Sequence, residues 1–244
     1  FTLGRFYFCI CTWFWCLGIV CRMPVVVSAL SALPLLSHLP QVTVAHLAQH
    51  AQVTAYAKRE VVLHKGAAGQ CLNFLLDGRL QGLDFTADAR EVGLYFVQPG
   101  DFFGEVALVD NQPQPEYVTA LMRSQVISIG KELIRPVLFA VPQLAEALCL
   151  RLSQRLRGVS EHRRILGLAT PVQRVCALLV QMEKQGRIPQ VPTHQELAIM
   201  VNLTRESVSR VFQLLQGRSI VERDGNDLIL EDIGMLNTLA DTGI

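Results

Sequence analysis

The stretch from Thr193 to Phe212 constrains this chain more than any other, because it reads as two short helices joined by a tight turn. Thr193 and Glu196 stand at capping-box spacing, where each side chain satisfies the other residue's free backbone N–H. Thr204 is placed to cap the second helix in the same way. At about 100° per residue, Val208, Val211, Phe212 and Leu215 fall in one arc of that helix. Arg205, Glu206, Ser209 and Arg210 fall in the opposite arc. Arginine binds the O6/N7 edge of guanine with two bonds and glutamate accepts from cytosine N4, so the polar arc carries base-reading chemistry. An ordinary amphipathic helix with a solvated face has the same periodicity. The next residues favour the first reading: Ser219 to Arg223 and Asp227 to Leu230 flank Asp224-Gly225-Asn226. Two short apolar runs around an Asp-Gly turn make a β-hairpin, a wing set directly after the second helix.

Upstream, the pattern between Lys58 and Leu133 is of short β-type runs separated by glycine turns: Val61 to Leu63, Leu72 to Leu76, Gly93 to Val97 and Gln125 to Ile129. Such spacing predicts a small antiparallel barrel or jelly roll. Before it, Val42, Val44, Leu47 and Ala51 suggest a short helix. After it, Pro142 opens a helical stretch to about Leu168, where Ala145, Leu148, Leu152, Leu156, Val159 and Leu166 recur at spacings of three, four and seven. That stripe is either a coiled-coil seam against a second copy or the face packed on the chain's own barrel. Gly158 is expected to mark either a weak point within the helix or a place where a ligand approaches. Pro171 starts the next helix, Gly186 closes it, and Ala169-Thr170 is the hinge candidate. The expected class is therefore α+β: an antiparallel β-roll over 23–140, a long helix over 141–168, and a winged helix-turn-helix over 169–244.

Residues 1–22 differ in character. They hold four of the seven cysteines and both tryptophans, with no charge from Phe6 to Cys21. This apolar leader is short for a membrane helix and lacks a clear cleavage site, so it is read as an over-extended translation start or a fragment artefact, against a membrane anchor. The spacing of Cys9, Cys11, Cys16 and Cys21 matches neither zinc nor iron–sulfur ligand patterns. Cys71, Cys149 and Cys176 are isolated in apolar surroundings, which fits reduced thiols in a cytoplasmic protein. No catalytic set appears: the barrel segment offers only His64, without a Ser/His/Asp set or a phosphate-cradling Gly-Lys loop. Neither an enzyme nor a metal site is expected, and no cofactor is assigned. The net charge of +1 gives no bulk attraction to a polyanion. From Ala169 onward there are seven Lys and Arg against nine Asp and Glu, a net of −2. Attraction to DNA must then come from local placement, and the salt dependence should be moderate.

Arg205-Glu206-Ser207-Val208-Ser209-Arg210, with the β-roll turns Lys65-Gly66, Asp77-Gly78, Pro99-Gly100-Asp101 and Phe103-Gly104-Glu105, resembles the cAMP receptor protein / fumarate-nitrate regulator family of bacterial transcription factors, over roughly residues 38 to 231. The resemblance implies double-stranded DNA and RNA polymerase as partners, and a homodimer whose paired recognition helices sit about 34 Å apart on a palindromic site. It assigns DNA contacts to Thr204, Arg205, Glu206, Ser209, Arg210 and Arg218, and an effector pocket to Gly104, Glu105, Arg155 and Ser160. Where family members hold a cyclic phosphate with Arg-Ser, this chain reads Pro115-Glu116. A carboxylate there repels phosphate, so the expected effector is not cAMP. The other reading in play is a ligand-sensing adaptor with the same barrel, acting through protein contacts.

Overall fold

The computed structural model describes residues 27–243, so the leader with its cysteines lies outside the described residues. The described chain opens with α1 (Val27–Ser31) and α2 (Gln41–His50). Helix α2 buries Val44 and Leu47 and leaves Val42 82% exposed. Eight strands then build the roll: β1 (Gln52–Tyr56), β2 (Val61–Leu63), β3 (Cys71–Asp77), β4 (Leu80–Phe85), β5 (Glu91–Val97), β6 (Phe102–Phe103), β7 (Tyr117–Ala120) and β8 (Ser124–Gly130), with α3 (Glu105–Asp110) between β6 and β7. They form two antiparallel sheets, β1-β8-β3-β6 and β2-β7-β4-β5.

The period of two in β3 decides what each sheet face covers. Leu72 and Phe74, paired with Ile129 and Ile127 of β8, point at the helices and join α1, α2 and the C-terminal side of the roll in one core. Leu75, paired with Val126, points between the sheets, where Phe103, Val97, Val118 and Leu80 form a second core. Asn73 shares that inner face, and its side chain accepts from the Ser128 hydroxyl at 2.7 Å on the partner strand. Each fully buried Phe or Leu contributes about 1.5–3 kcal/mol.

Helix α4 (Lys131–Ala140) bends by 101° into α5 (Pro142–Gly167), whose 26 residues extend about 39 Å. Gly158 does not interrupt it. The expected apolar stripe divides along its length. Leu148, with Leu144, is buried against the roll, and Leu152 packs on the same core. Leu156 and Val159 stay 69% and 59% exposed. Beyond Leu152 the roll meets α5 through Arg155, and Leu156 lies about 100° round the helix from that residue. Among the described residues no single helix is long and apolar enough to cross a membrane.

The C-terminal domain comprises α6 (Pro171–Met182), β9 (Arg187–Ile188), α7 (His194–Val201), α8 (Arg205–Gly217), β10 (Val221–Asp224), β11 (Asp227–Leu230) and α9 (Ile233–Thr242). Helix α6 ends at Met182, ahead of Gly186, because Glu183 already leaves helical geometry. Strands β10 and β11 form the wing, and β9 adds to its edge. Helix α9, which the sequence pattern did not announce, is capped by Asp232 and buries Leu236 and Leu239. Ile165 of α5 sits in this domain's core.

The domain is also seated on the roll. Phe96 of β5 packs against its core, the Arg79 guanidinium donates to the Gln190 carbonyl, and Lys184 Nζ donates to Gln98 at 2.9 Å. Gly93 of β5 lies so close to α7 that an added Cβ would stand 2.6 Å from Met200 Sδ and 3.2 Å from its Cα. Replacing Gly93 by valine should therefore push α7 off the roll. Faster trypsin cleavage after Arg163 or Arg164 is the expected readout, and an unchanged cleavage rate would show that this contact does not hold the domains together.

Candidate nucleic-acid interface and sensor pocket

Both helices of the C-terminal motif start on the caps that the sequence spells out. Thr193 accepts from the Glu196 N–H at 3.3 Å while Glu196 accepts from the Thr193 N–H at 2.9 Å. The Thr204 hydroxyl accepts from the Ser207 N–H at 3.2 Å. Asn202, at φ 51°, makes the turn between them. The back of α8 is fully used: Val208, Val211, Phe212 and Leu215 are buried. Arg205, Glu206 and Arg210 are exposed, and none forms an ion pair among the described residues.

Ser209 is placed differently. It is half-buried, with its hydroxyl 2.8 Å from Nδ1 of His194, and the His194 ring packs on Phe212 with centroids 4.5 Å apart. Burial, with Arg223 and Arg205 nearby, holds the His194 imidazole below its ordinary range. The hydroxyl therefore serves the contact between α7 and α8. Arg218 follows the end of α8, about 20 Å from Arg205, and is exposed. Thr204, Arg205, Glu206, Ser209 and Arg210 thus share the first two turns, and Arg218 stands apart from them.

In the roll, Gly104 ends the glycine loop and Glu105 begins α3. Glu105 is 0% exposed, and its carboxylate lies 2.7 Å from Arg155 of α5 in an ion pair that is off hydrogen-bond alignment. The Arg155 guanidinium also lies over the Tyr95 ring, 4.2 Å from its centroid. The Tyr95 hydroxyl donates to Glu116 at 2.5 Å. Tyr95 fits because its partner in the β4–β5 register is Gly82, where an added Cβ would stand 2.5 Å from the ring. One turn earlier, Arg151 reaches Asp101 at 3.2 Å and lies over Phe102. Ser160 is outside this cluster: it is exposed, and its hydroxyl donates to the Leu156 carbonyl on its own helix at 3.0 Å. Burial pushes the Glu105 carboxyl up, against the pull of Arg155, and burial also pushes the Tyr95 phenol up.

Sequence reasoning brought Glu105, Arg155 and Glu116 to attention but missed Tyr95 and His194. Gly82 opposite Tyr95 is the signal for the first, and it becomes visible only once the strand register is known. Nothing local pairs His194 with Ser209.

A β-roll joined through a long helix to a winged helix-turn-helix defines a two-part DNA-binding regulator with a sensor of the cyclic-nucleotide-binding type. Comparison agrees at both ends: residues 53–140 match the cyclic nucleotide-binding domain model and residues 173–239 the Crp-like helix-turn-helix domain model. The cAMP-activated global transcriptional regulator CRP of Pasteurella multocida is 23% identical over 192 residues, covering 74% of this chain and 90% of that one. The cyclic AMP receptor protein of Thermus thermophilus is 24% identical over 186 residues, covering 76% of this chain and 86% of that one. Among solved structures, FixK2 from Bradyrhizobium japonicum superposes with a TM-score of 0.69 at 22% identity, covering 78% of this chain and 96% of its own. The c-di-GMP responsive global regulator CLP of Xanthomonas campestris gives a TM-score of 0.61 at 21% identity, with 78% and 99% covered. The chain belongs to the Crp/Fnr family of transcription regulators and is not an enzyme.

The buried pair makes a direct test of the pocket. Arg155→Leu strands the Glu105 carboxylate and should cost about 3–5 kcal/mol near neutral pH in urea unfolding. The folded-state value of Glu105 then lies further above the ordinary 4.5, so the folded protein binds the proton more tightly than the unfolded chain. Stability of the variant should accordingly recover as pH falls through the folded value toward 4.5. Adding Glu105→Gln should abolish that recovery. A pH-independent loss in the single variant would show that the charge is not what the arginine compensates.

Proposed function

We propose that the chain is a homodimeric, sequence-specific transcription regulator in which Arg205, Glu206 and Arg210 read base edges and Thr204 and Arg218 position the phosphate backbone. The observation that carries this reading is the unpaired, exposed front of a capped α8 whose back is fully buried. Exposed Leu156 and Val159 supply the half of the α5 stripe that the roll leaves uncovered, and a second copy would bury it. Two recognition helices related by a two-fold axis then match palindromic half-sites about 34 Å apart. Bound there, the regulator acts on RNA polymerase in the cytoplasm. Exposure of Arg205 and Arg210 does not favour an adaptor that works through protein contacts alone.

The effector in this reading is not cAMP. The cation nearest the pocket, Arg155, is already committed to Glu105 and Tyr95, and Glu116 is held in place by the Tyr95 hydroxyl. A cyclic phosphate would meet carboxylates without a free guanidinium. A ligand that takes Glu105 away from Arg155 loosens the grip of α5 on the roll. Because α5 also delivers Ile165 to the reader's core, that change turns the reader about the hinge near Ala169.

Selecting sites from a random duplex pool should return a palindrome with half-sites one helical turn apart. Arg205→Ala and Arg210→Ala should each cost about 1–3 kcal/mol and relax one base position per half-site. Equal weakening on every sequence would contradict base reading. Calorimetric titration with cAMP should show no binding at micromolar affinity, and a micromolar Kd would refute the effector assignment.

A further inference from the structure

Helix α5 is tied to the roll through Arg155 and to the reader's core through Ile165. Between them it carries His162, the one buried histidine among the described residues, at 7% exposure. The ring sits where three parts of the molecule meet. Backbone groups of Gly93 in β5 and of Met200 in α7 stand within its reach, one from the roll and one from the reader. Neither ring nitrogen has an aligned hydrogen-bond partner. The Gln81 amide nitrogen of β4, close against Gly93, is likewise buried and unpaired.

A neutral imidazole has one donor and one acceptor, whereas an imidazolium has two donors and a full charge. Burial penalises the charged form unless an anion pairs with it. The elements around the ring supply none. On β5, Glu91 is exposed and Tyr95 is bonded to Glu116. On β4, Asp84 is paired with Lys65. On α7, Glu196 closes the cap and His194 is bonded to Ser209. Arg174 of α6 donates to the Leu168 carbonyl, and on α5 itself Glu161 pairs with Arg164 while Arg163 is exposed. None of these charges acts on the ring: burial holds it below its ordinary 6.5, against the pull of the two backbone groups.

We propose that His162 is a proton-operated latch between sensor and reader: the neutral ring lets α7 seat on β5, and protonation releases that seat while both units stay folded. In the released form the ring is in water with an ordinary affinity for the proton, so the seated form binds the proton less tightly. The contribution of the latch is therefore complete above 6.5 and is lost progressively as pH falls through 6.5 toward the seated-state value. Because the sensor's state reaches the reader through this junction, mild acid uncouples the two units whatever the pocket holds. The inference goes beyond the regulator reading and does not depend on what α8 binds.

The Met200 methyl is the reporter, because Met200 is 4% exposed and its sulfur faces Gly93. In protein labelled at its methionine methyls, a soluble nitroxide should quench Met200 on the order of tenfold more strongly at about pH 5 than at about pH 7.5. Met122 on the roll and Met235 on the reader are exposed and should be quenched alike at both values. Met182, packed on the reader's core, should stay protected, which separates release from unfolding. The midpoint should lie below 6.5 and coincide with titration of the His162 Cε1–H resonance. His162→Gln, neutral throughout, should stay seated over the whole range. His194 is also held low, so a pH response that persists in this variant belongs to another group and overturns the proposal. A Met200 methyl that stays protected while the His162 ring titrates overturns it too. If the variant fails to fold, the unsubstituted protein decides alone, and separate midpoints for ring and methyl reject the latch.

Discussion

The ion pair between Arg155 and Glu105 constrains the rest of the molecule. Both charges are withdrawn from water, and such a pair persists only if each partner meets the other closely. The requirement fixes where α5 crosses the roll, because Arg155 must sit above Tyr95 and opposite the first residue of α3. Arg151 and Asp101 repeat the contact one turn earlier, so the glycine loop and the helix are joined at two points. From there α5 runs on to place His162 beside both Gly93 of the roll and Met200 of the reader, and Ile165 in the reader's core.

A buried carboxylate next to a buried guanidinium is costly, and a hydrophobic pair of similar volume would often serve stability as well or better. The polar arrangement has a different property. In the proposed reading it is exchanged for a competing ligand, whereas an apolar contact in the same place would remain closed. At the proposed effector site the place of a cation is thus taken by the chain's own Arg155, with Tyr95 donating to Glu116 beside it.

Much of this was legible in the sequence wherever the cause was local. Caps at Thr193 and Thr204, the turn at Asp224-Gly225 and the short apolar run that becomes β3 each depend on residues a few positions apart, and all appear as expected. Features that depend on distant partners were not legible. Tyr95 needs the register with Gly82, Ser209 needs His194 fifteen residues earlier, and α9 needs α6 to pack against. The apolar stripe of α5 shows the limit most clearly. Periodicity marks Leu148 and Leu156 alike, but only the way α5 is seated on the roll decides which of them is covered.

Arg155 and Leu156 are neighbours in sequence, about 100° apart on the helix. One side chain is committed to the interior of the sensor and the other is presented outward, toward the proposed twin protomer. A rotation of α5 that frees the first necessarily displaces the second. Occupancy of one sensor would then be felt at the seam before it reached any reader, so the two halves of such an assembly would respond jointly, with a steepness that neither possesses alone.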